Sequence, residues 1–276
     1  MPVALDVIKL SSPATHEFWE IPILFEDADL LALNKPSDLL VSSDRFNPDR
    51  PNLMNLVHRD IARGAKWSAS RGLTYMMNAH RMDPGDTGVI LLAKNKTALI
   101  RLANQFGEFK PSKIYVALAR GNSPENTFST DVSLAPNLLR PGMMRVDSRH
   151  GKKARTDFLV RERFSDHLLL ECRPFTSRTH QIRIHLKFLQ RPIVGDPVYG
   201  GPPLWLSTLK ADYHLKPGHE EKPLIGRVAL HAEKLVLSHP TSGAPISIDA
   251  PWPKDFIVAV KYLRRYATTA HSGAAA

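Results

Sequence analysis

Apolar residues fall along this chain mostly in short blocks separated by polar turns, a pattern richer in strands than in helices. Val89, Ile90, Leu91 and Leu92 form a nearly continuous block of β-favouring residues, which predicts a strand buried on both faces. Two further runs, 22–25 and 30–34, flank the turn Glu26-Asp27-Ala28-Asp29, and Pro36 ends the second. From Lys113 to Ala119 the chain alternates. Ile114, Val116 and Leu118 share one side, so Lys113, Tyr115 and Ala117 face the other. Leu168, Leu169 and Leu170 begin a buried strand ending near Pro174, and 233–249 read as strands around Thr241-Ser242-Gly243. Helical spacing predicts a helix over 97–108, from Leu99, Leu102, Ala103 and Phe106, and another over 180–190, from Ile182, His185, Leu186 and Leu189. Thr179 is the expected N-cap of the latter and Pro192 its stop. A terminal helix is expected over 254–266. Residues 1–20 have weak periodicity and read as an N-terminal arm, 21–266 as the main domain, and 267–276 as a loose tail.

Composition narrows the partners. A chain of 276 residues, 43% hydrophobic, has enough apolar material for one large domain or two closely joined ones. A net charge of +10 and a pI near 9.8 favour a polyanionic partner, nucleic acid above all, over a merely basic soluble protein. The cations concentrate in two stretches. Residues 44–72 carry Arg45, Arg50, Arg59, Arg63, Lys66 and Arg71 with Trp67 among them, and serve either as an RNA-facing surface or as a solvated loop and helix. Between 140 and 155, Arg140, Arg145, Arg149, Lys152, Lys153 and Arg155 stand against one acid, Asp147, as a clamp on phosphates or a solvated charge run. Cys172 is the sole cysteine, which excludes an intrachain disulfide and a cysteine-rich zinc site and fits a reducing cytoplasm. No run approaches the roughly 18 apolar residues of a membrane span, and no export leader precedes residue 20, so a soluble cytoplasmic protein is expected.

Candidate chemistry gathers before the apolar block. Pro84, Gly85 and Gly88 break regular structure there, placing Asp83 on a turn fed by a rigid strand, with Arg81 two residues away. If 78–83 is extended, both side chains project to one side, an arrangement suited to an acidic substrate. Arg183 falls in the first turn of the helix expected over 180–190, where the helix dipole disfavours a cation, so a carboxylate is expected beside it; Asp83 is the candidate. His180 and His185 are five apart, a poor match to the spacing of paired helical metal ligands, and read as structural or RNA-contacting.

The stretch His80–Asn95, HRMDPGDTGVILLAKN, resembles the HRLDxxTSGLLLLAKN motif of the RluA-type pseudouridine synthases. Further likenesses follow in order: Lys113-Ile114-Tyr115-Val116-Ala117 is similar to the family's KxYxA strand, and Arg178–His185 to its RTHQIRxH signature. Gly195-Asp196 with Tyr199-Gly200 resembles the GDxxYG turn, and Leu230-His231-Ala232 with His239-Pro240 the LHA…HP segment. The resemblance covers roughly Ile21 to Lys254, and the N-terminal RNA-binding module of some members is expected to be absent. It implies an α+β fold, a large mixed, mostly antiparallel sheet with flanking helices and a central catalytic cleft. It implies conversion of uridine in structured RNA, ribosomal or transfer, to pseudouridine by a monomeric enzyme with neither metal nor organic cofactor. Asp83 would act on the ribose of a flipped-out nucleotide, either attacking C1′ or removing the 2′ hydrogen. Arg183 would hold that carboxylate ionised and oriented, and Tyr115 would stack on the uracil and assist loss of the C5 proton. Arg81 would fill the gap left by the nucleotide, and His80, Arg178, His180, Arg145, Arg149, Lys152 and Lys153 are the other expected RNA contacts.

Two positions depart from the family pattern. Asp38 stands where glycine is usual, a tolerable change because aspartate accepts the left-handed conformation better than most residues. Asp86 stands where threonine is common; a second carboxylate there either opposes the first and repels phosphate or simply closes the turn through its own backbone bonds. These departures support an alternative, a catalytically inactive RNA-binding protein of the same fold. A glycosidic hydrolase using Asp83 and Asp86 fits poorly, since such pairs flank their substrate and these share one turn.

Overall fold

The computed structural model describes residues 6–44 and 47–268. In chain order the first elements are β1 (Val7–Ser12), β2 (Glu17–Glu26), β3 (Leu30–Lys35), α1 (Leu53–Ala62), α2 (Lys66–Ala69), β4 (Met77–Asn78), β5 (Thr87–Ala93) and α3 (Lys96–Gly107). There follow β6 (Ser112–Arg120), β7 (Thr127–Thr130), β8 (Leu134–Pro136), β9 (Met144–Val146), β10 (Thr156–Arg163) and β11 (His167–Pro174). The last are α4 (Gln181–Phe188), α5 (Leu206–Leu209), β12 (Leu230–Ser238), β13 (Pro245–Asp249) and α6 (Lys254–Tyr266). They divide into two compact units, one built from residues up to 114 together with 231–251, the other from 115–230 together with residues from 252 on.

In the first unit β5 is the central strand. It pairs antiparallel with β3 and β4 and parallel with β12, while β2 joins β1 to β3 and β13 lies beside β12, all antiparallel. Every residue of β5 is buried, as its unbroken apolar run predicts, and packing Ile90, Leu91 and Leu92 contributes roughly 2 kcal/mol apiece. Gly88 cannot be replaced by a larger residue: its φ is +109°, and a Cβ would lie 2.2 Å from the Ala232 carbonyl oxygen on the neighbouring strand. The stretch expected as an arm contains β1, whose Ile8, Leu10 and Ser12 are buried on one face while the intervening residues are not. The alternation is only three residues deep, too short to stand out from sequence. Asp38 adopts the left-handed conformation, φ +64°.

In the second unit β6, β11, β10 and β7 form a wholly antiparallel series, with β8 and β9 as a separate hairpin. Val116, Leu118, Phe158 and Leu170 join Leu186 of α4 and Leu263 of α6 in one apolar core. The class is α+β, mixed and mostly antiparallel, with helices against the strands. Helix α3 is capped by Asn95, whose side chain accepts from the Ala98 amide at 2.8 Å. Helix α4 starts one residue later than expected, and the expected N-cap Thr179 is displaced. His180 holds that position at φ +53° without a side-chain cap bond, because buried Gln181 instead ties the approach together. Its Oε1 accepts from Thr176 Oγ1 (2.7 Å) and the Arg178 amide (3.1 Å). The tail expected over 267–276 lies, beyond Thr268, outside the described residues. Among those residues no helix is long and apolar enough to cross a membrane.

Candidate active site

The Asp83 turn is held from below by main-chain bonds. The Asp86 amide donates to the Asp83 carbonyl at 3.2 Å, and the Pro84 carbonyl accepts from the Asp38 amide (2.9 Å) and from Lys35 Nζ (3.1 Å). Lys35 is only 1% exposed, and its buried ammonium donates to the carbonyls of Pro36 and Pro84. Asp83 itself is half-buried, Arg81 exposed and Asp86 buried. Strand β4 ends at Asn78, and the Ala79 amide still donates to the Leu91 carbonyl at 2.8 Å.

His80 anchors the approach to this turn. Its Nε2 accepts from the Leu91 amide at 3.1 Å and its ring packs on Phe106, 5.1 Å between centroids. Burial, with the nearby Lys113 ammonium, pushes its pKa down to about 3, so the ring is neutral. Burial likewise lowers Lys113 to about 8. At the other end of the turn, His231 Nδ1 lies 2.8 Å from Thr87 Oγ1 and Nε2 3.2 Å from the Ala250 carbonyl. A carbonyl only accepts, so Nε2 carries the proton and Thr87 donates to Nδ1.

In the second unit Arg183 sits in the first turn of α4, 6% exposed. The carboxylate that position calls for is supplied by Asp196: Nε donates to Oδ2 and Nη2 to Oδ1, each at 2.8 Å. The Tyr199 ring lies 5.1 Å from the guanidinium carbon. The Gly195-Asp196 turn is legible in the sequence without a task for either residue; the signal that points to Asp196 is an acid between a glycine and a proline, downstream of a first-turn arginine. His185 is buried and structural, with Nδ1 2.9 Å from Thr156 Oγ1 and Nε2 3.2 Å from the Val132 carbonyl. Tyr115 lies on β6 opposite Cys172 and is half-buried. Cys172 itself is buried and its thiol pushed above the ordinary range, so it is no nucleophile.

The two basic stretches separate here. Arg59 and Arg63 both pair with buried Asp60, which also accepts from Trp67 Nε1, and Arg71 pairs with Glu26 and Asp6. Those cations brace the first unit, while Arg45 lies outside the described residues. The run 140–155 is organised around its single acid. Asp147 accepts from the amides of His150 (2.9 Å) and Arg149 (3.0 Å) and pairs with Arg145 Nη2 (2.6 Å). The His150 amide chiefly, helped by those partners, holds the carboxyl below the usual range. Arg145 is thereby held by its guanidinium, Arg149, Lys152 and Lys153 stand exposed, and Arg178 Nε donates to the Lys153 carbonyl at 3.1 Å. Among the described residues no group of three or more His, Cys, Asp or Glu could hold a metal ion.

Several known proteins resemble this chain. The family model described as RNA pseudouridylate synthase matches residues 29–188. "Ribosomal large subunit pseudouridine synthase D" of Xanthomonas campestris pv. campestris is 34% identical over 254 residues, 90% of this chain and 71% of that protein. "Uncharacterized RNA pseudouridine synthase YlyB" of Bacillus subtilis is 31% identical over 265 residues, 96% of this chain and 77% of its own. The solved structure titled "Human RNA Pseudouridylate Synthase Domain Containing 4" shares the fold, with TM-score 0.65 at 22% identity, covering 88% of this chain and 92% of that one. A family model spanning more than half the sequence, with relatives above 30% identity along nearly all of it, places the chain among the RluA-type RNA pseudouridine synthases, isomerases that convert uridine in RNA to pseudouridine.

Proposed function

We propose that this enzyme modifies a uridine of ribosomal RNA, and that Asp83, Tyr115 and Arg183 carry the reaction. The observation that supports the assignment of Asp83 most directly is its half-buried carboxylate on a turn pinned at Pro84 and backed by a wholly buried strand. A group so placed loses little entropy when it meets a substrate. Relatives named for the large ribosomal subunit favour ribosomal over transfer RNA.

In this reading the target nucleotide leaves its stack, at a cost of a few kcal/mol, and Arg81 takes its place. The ionised Asp83 attacks C1′ or removes the 2′ hydrogen, and the bond from C1′ to N1 breaks. The uracil turns, C5 bonds to C1′, and the C5 proton leaves with help from Tyr115, whose ring stacks on the base. Arg183 serves the Asp83 carboxylate through charge-assisted hydrogen bonds. Arg145, Arg149, Lys152, Lys153, Arg178 and His180 take phosphates along the RNA, and His80 fixes the backbone from which Arg81 reaches. The enzyme acts as a monomer in the cytoplasm.

Tritium release from RNA labelled at C5 of uridine tests the chemistry, and mapping pseudouridines in cellular RNA with and without the protein tests the substrate. Release from a large-subunit ribosomal transcript is expected. A map unchanged in ribosomal RNA would refute that choice of substrate, and binding without release would leave an RNA-binding protein in place of an enzyme.

A further inference from the structure

Arg183 occupies an awkward place. The positive end of α4 disfavours it, no acid in that helix's first turn offsets it, and a guanidinium 6% exposed has lost most of its water. Asp196 makes the place tenable. Its fork to Nε and Nη2 fixes the plane of the guanidinium as well as its position, which a single contact would not do. Asp196 is itself fully buried and immobilised, because Oδ1 also accepts from the amides of Val198 (3.1 Å) and Tyr199 (3.2 Å). The Tyr199 ring packs against the guanidinium, and its hydroxyl accepts from the Met144 amide at 3.0 Å and meets His180 Nδ1 at 2.8 Å. The chain around the acid is equally tight: a Cβ on Gly195 would lie 2.3 Å from the Arg227 carbonyl oxygen.

We propose that Asp196 and Tyr199 are positioning residues for the isomerisation, acting through Arg183, whose plane and donor directions they fix before RNA binds. This rests on the reading of Arg183 as catalytic. A buried ion pair contributes little net stability, since desolvation offsets the attraction, so the value of this one lies in direction. Neutralising Arg183 within a pair also means that it acts on its substrate-side partner by aimed hydrogen bonds more than by net charge.

The test is single-turnover tritium release from a bacterial large-subunit ribosomal transcript labelled at C5 of uridine, with RNA affinity measured separately and every rate read below the variant's own melting midpoint. Asp196→Asn is expected to lower the maximal rate about 100-fold, the order expected of a misplaced catalytic group, with RNA affinity little changed. Tyr199→Phe keeps the ring and loses the hydroxyl, for a fall of about 3- to 10-fold. Asp196→Asn removes a buried carboxylate from a buried cation, so a second pair of variants guards against mere unfolding. Added guanidinium ion is expected to restore part of the rate of Arg183→Ala, and not that of the double variant Arg183→Ala with Asp196→Asn, which buries no uncompensated charge. Equal rescue in both, or a wild-type rate for Asp196→Asn, overturns the positioning role. A wild-type rate for Arg183→Ala overturns instead the catalytic reading on which it rests.

Discussion

The two units hold their candidate catalytic groups by different physics. Asp83 is placed by backbone: carbonyl and amide bonds at Pro84 and Asp86, a glycine in close contact with the next strand, and an apolar strand with no polar side chain past Thr87. Arg183 is placed by side chains, through an ion pair, an aromatic face and a hydroxyl relay. The turn that presents an acid is fixed through its main chain, whereas the cation is oriented through its own donor set. Changes in the first unit should therefore act through backbone strain, and changes in the second through lost direction.

The largest expected effect breaks the comparison at its chemical end. Asp83→Asn should abolish tritium release, a loss of at least about 10³-fold, while filter binding of RNA persists. Normal turnover by this variant would move the role to Asp86. Next, Gly88→Ala drives a Cβ into the Ala232 carbonyl at an unfavourable φ and should cost roughly 3 kcal/mol or more, read as a lower midpoint in urea. A stable Gly88→Ala protein would show that the first unit is not held by backbone fit.

A smaller effect concerns His80. Its folded pKa of about 3 lies below the ordinary 6.5, so between those values the unfolded chain binds a proton that the folded one refuses. Stability from this group is thus present near neutrality and lost as pH falls, by up to about 1.4 kcal/mol per pH unit. The stability gap between the wild type and His80→Gln, in which the amide oxygen can still accept from Leu91, should narrow on acidification through that window. Smallest is Asp147→Ala. If the basic run 140–155 is ordered by this acid, RNA affinity falls about 3- to 10-fold; if the run is only a sum of charges, removing an acid raises affinity at constant salt.

Most of the strands were legible because burial on both faces leaves an apolar run, as at Val89–Leu92, and α6 was legible at its exact ends. Asp83 was legible because turn residues crowd just ahead of such a run. Other features were hidden for physical reasons. Charge counting treated 44–72 and 140–155 alike, yet Arg59, Arg63 and Arg71 are consumed by Asp60, Glu26 and Asp6, acids that pattern alone cannot pair with them. Thr179 looked like a cap by residue type, and long-range bonds from Gln181 overrode that preference. Asp196 was missed because only one acid was sought for the first-turn cation, and pattern alone does not show that a carboxylate thirteen residues on in the same unit folds back onto it.

The parallel pairing of His231 and Ala232 with Thr87 and Gly88 bears on biosynthesis. The strand edge that feeds the Asp83 turn meets this neighbour only once the chain has grown by the 144 residues that separate Thr87 from His231. Until then the nascent chain exposes that edge, and the first unit waits unfinished through translation of almost the whole second one. A chain cut before β12 would therefore lack the parallel neighbour against which the strand behind the Asp83 turn is built.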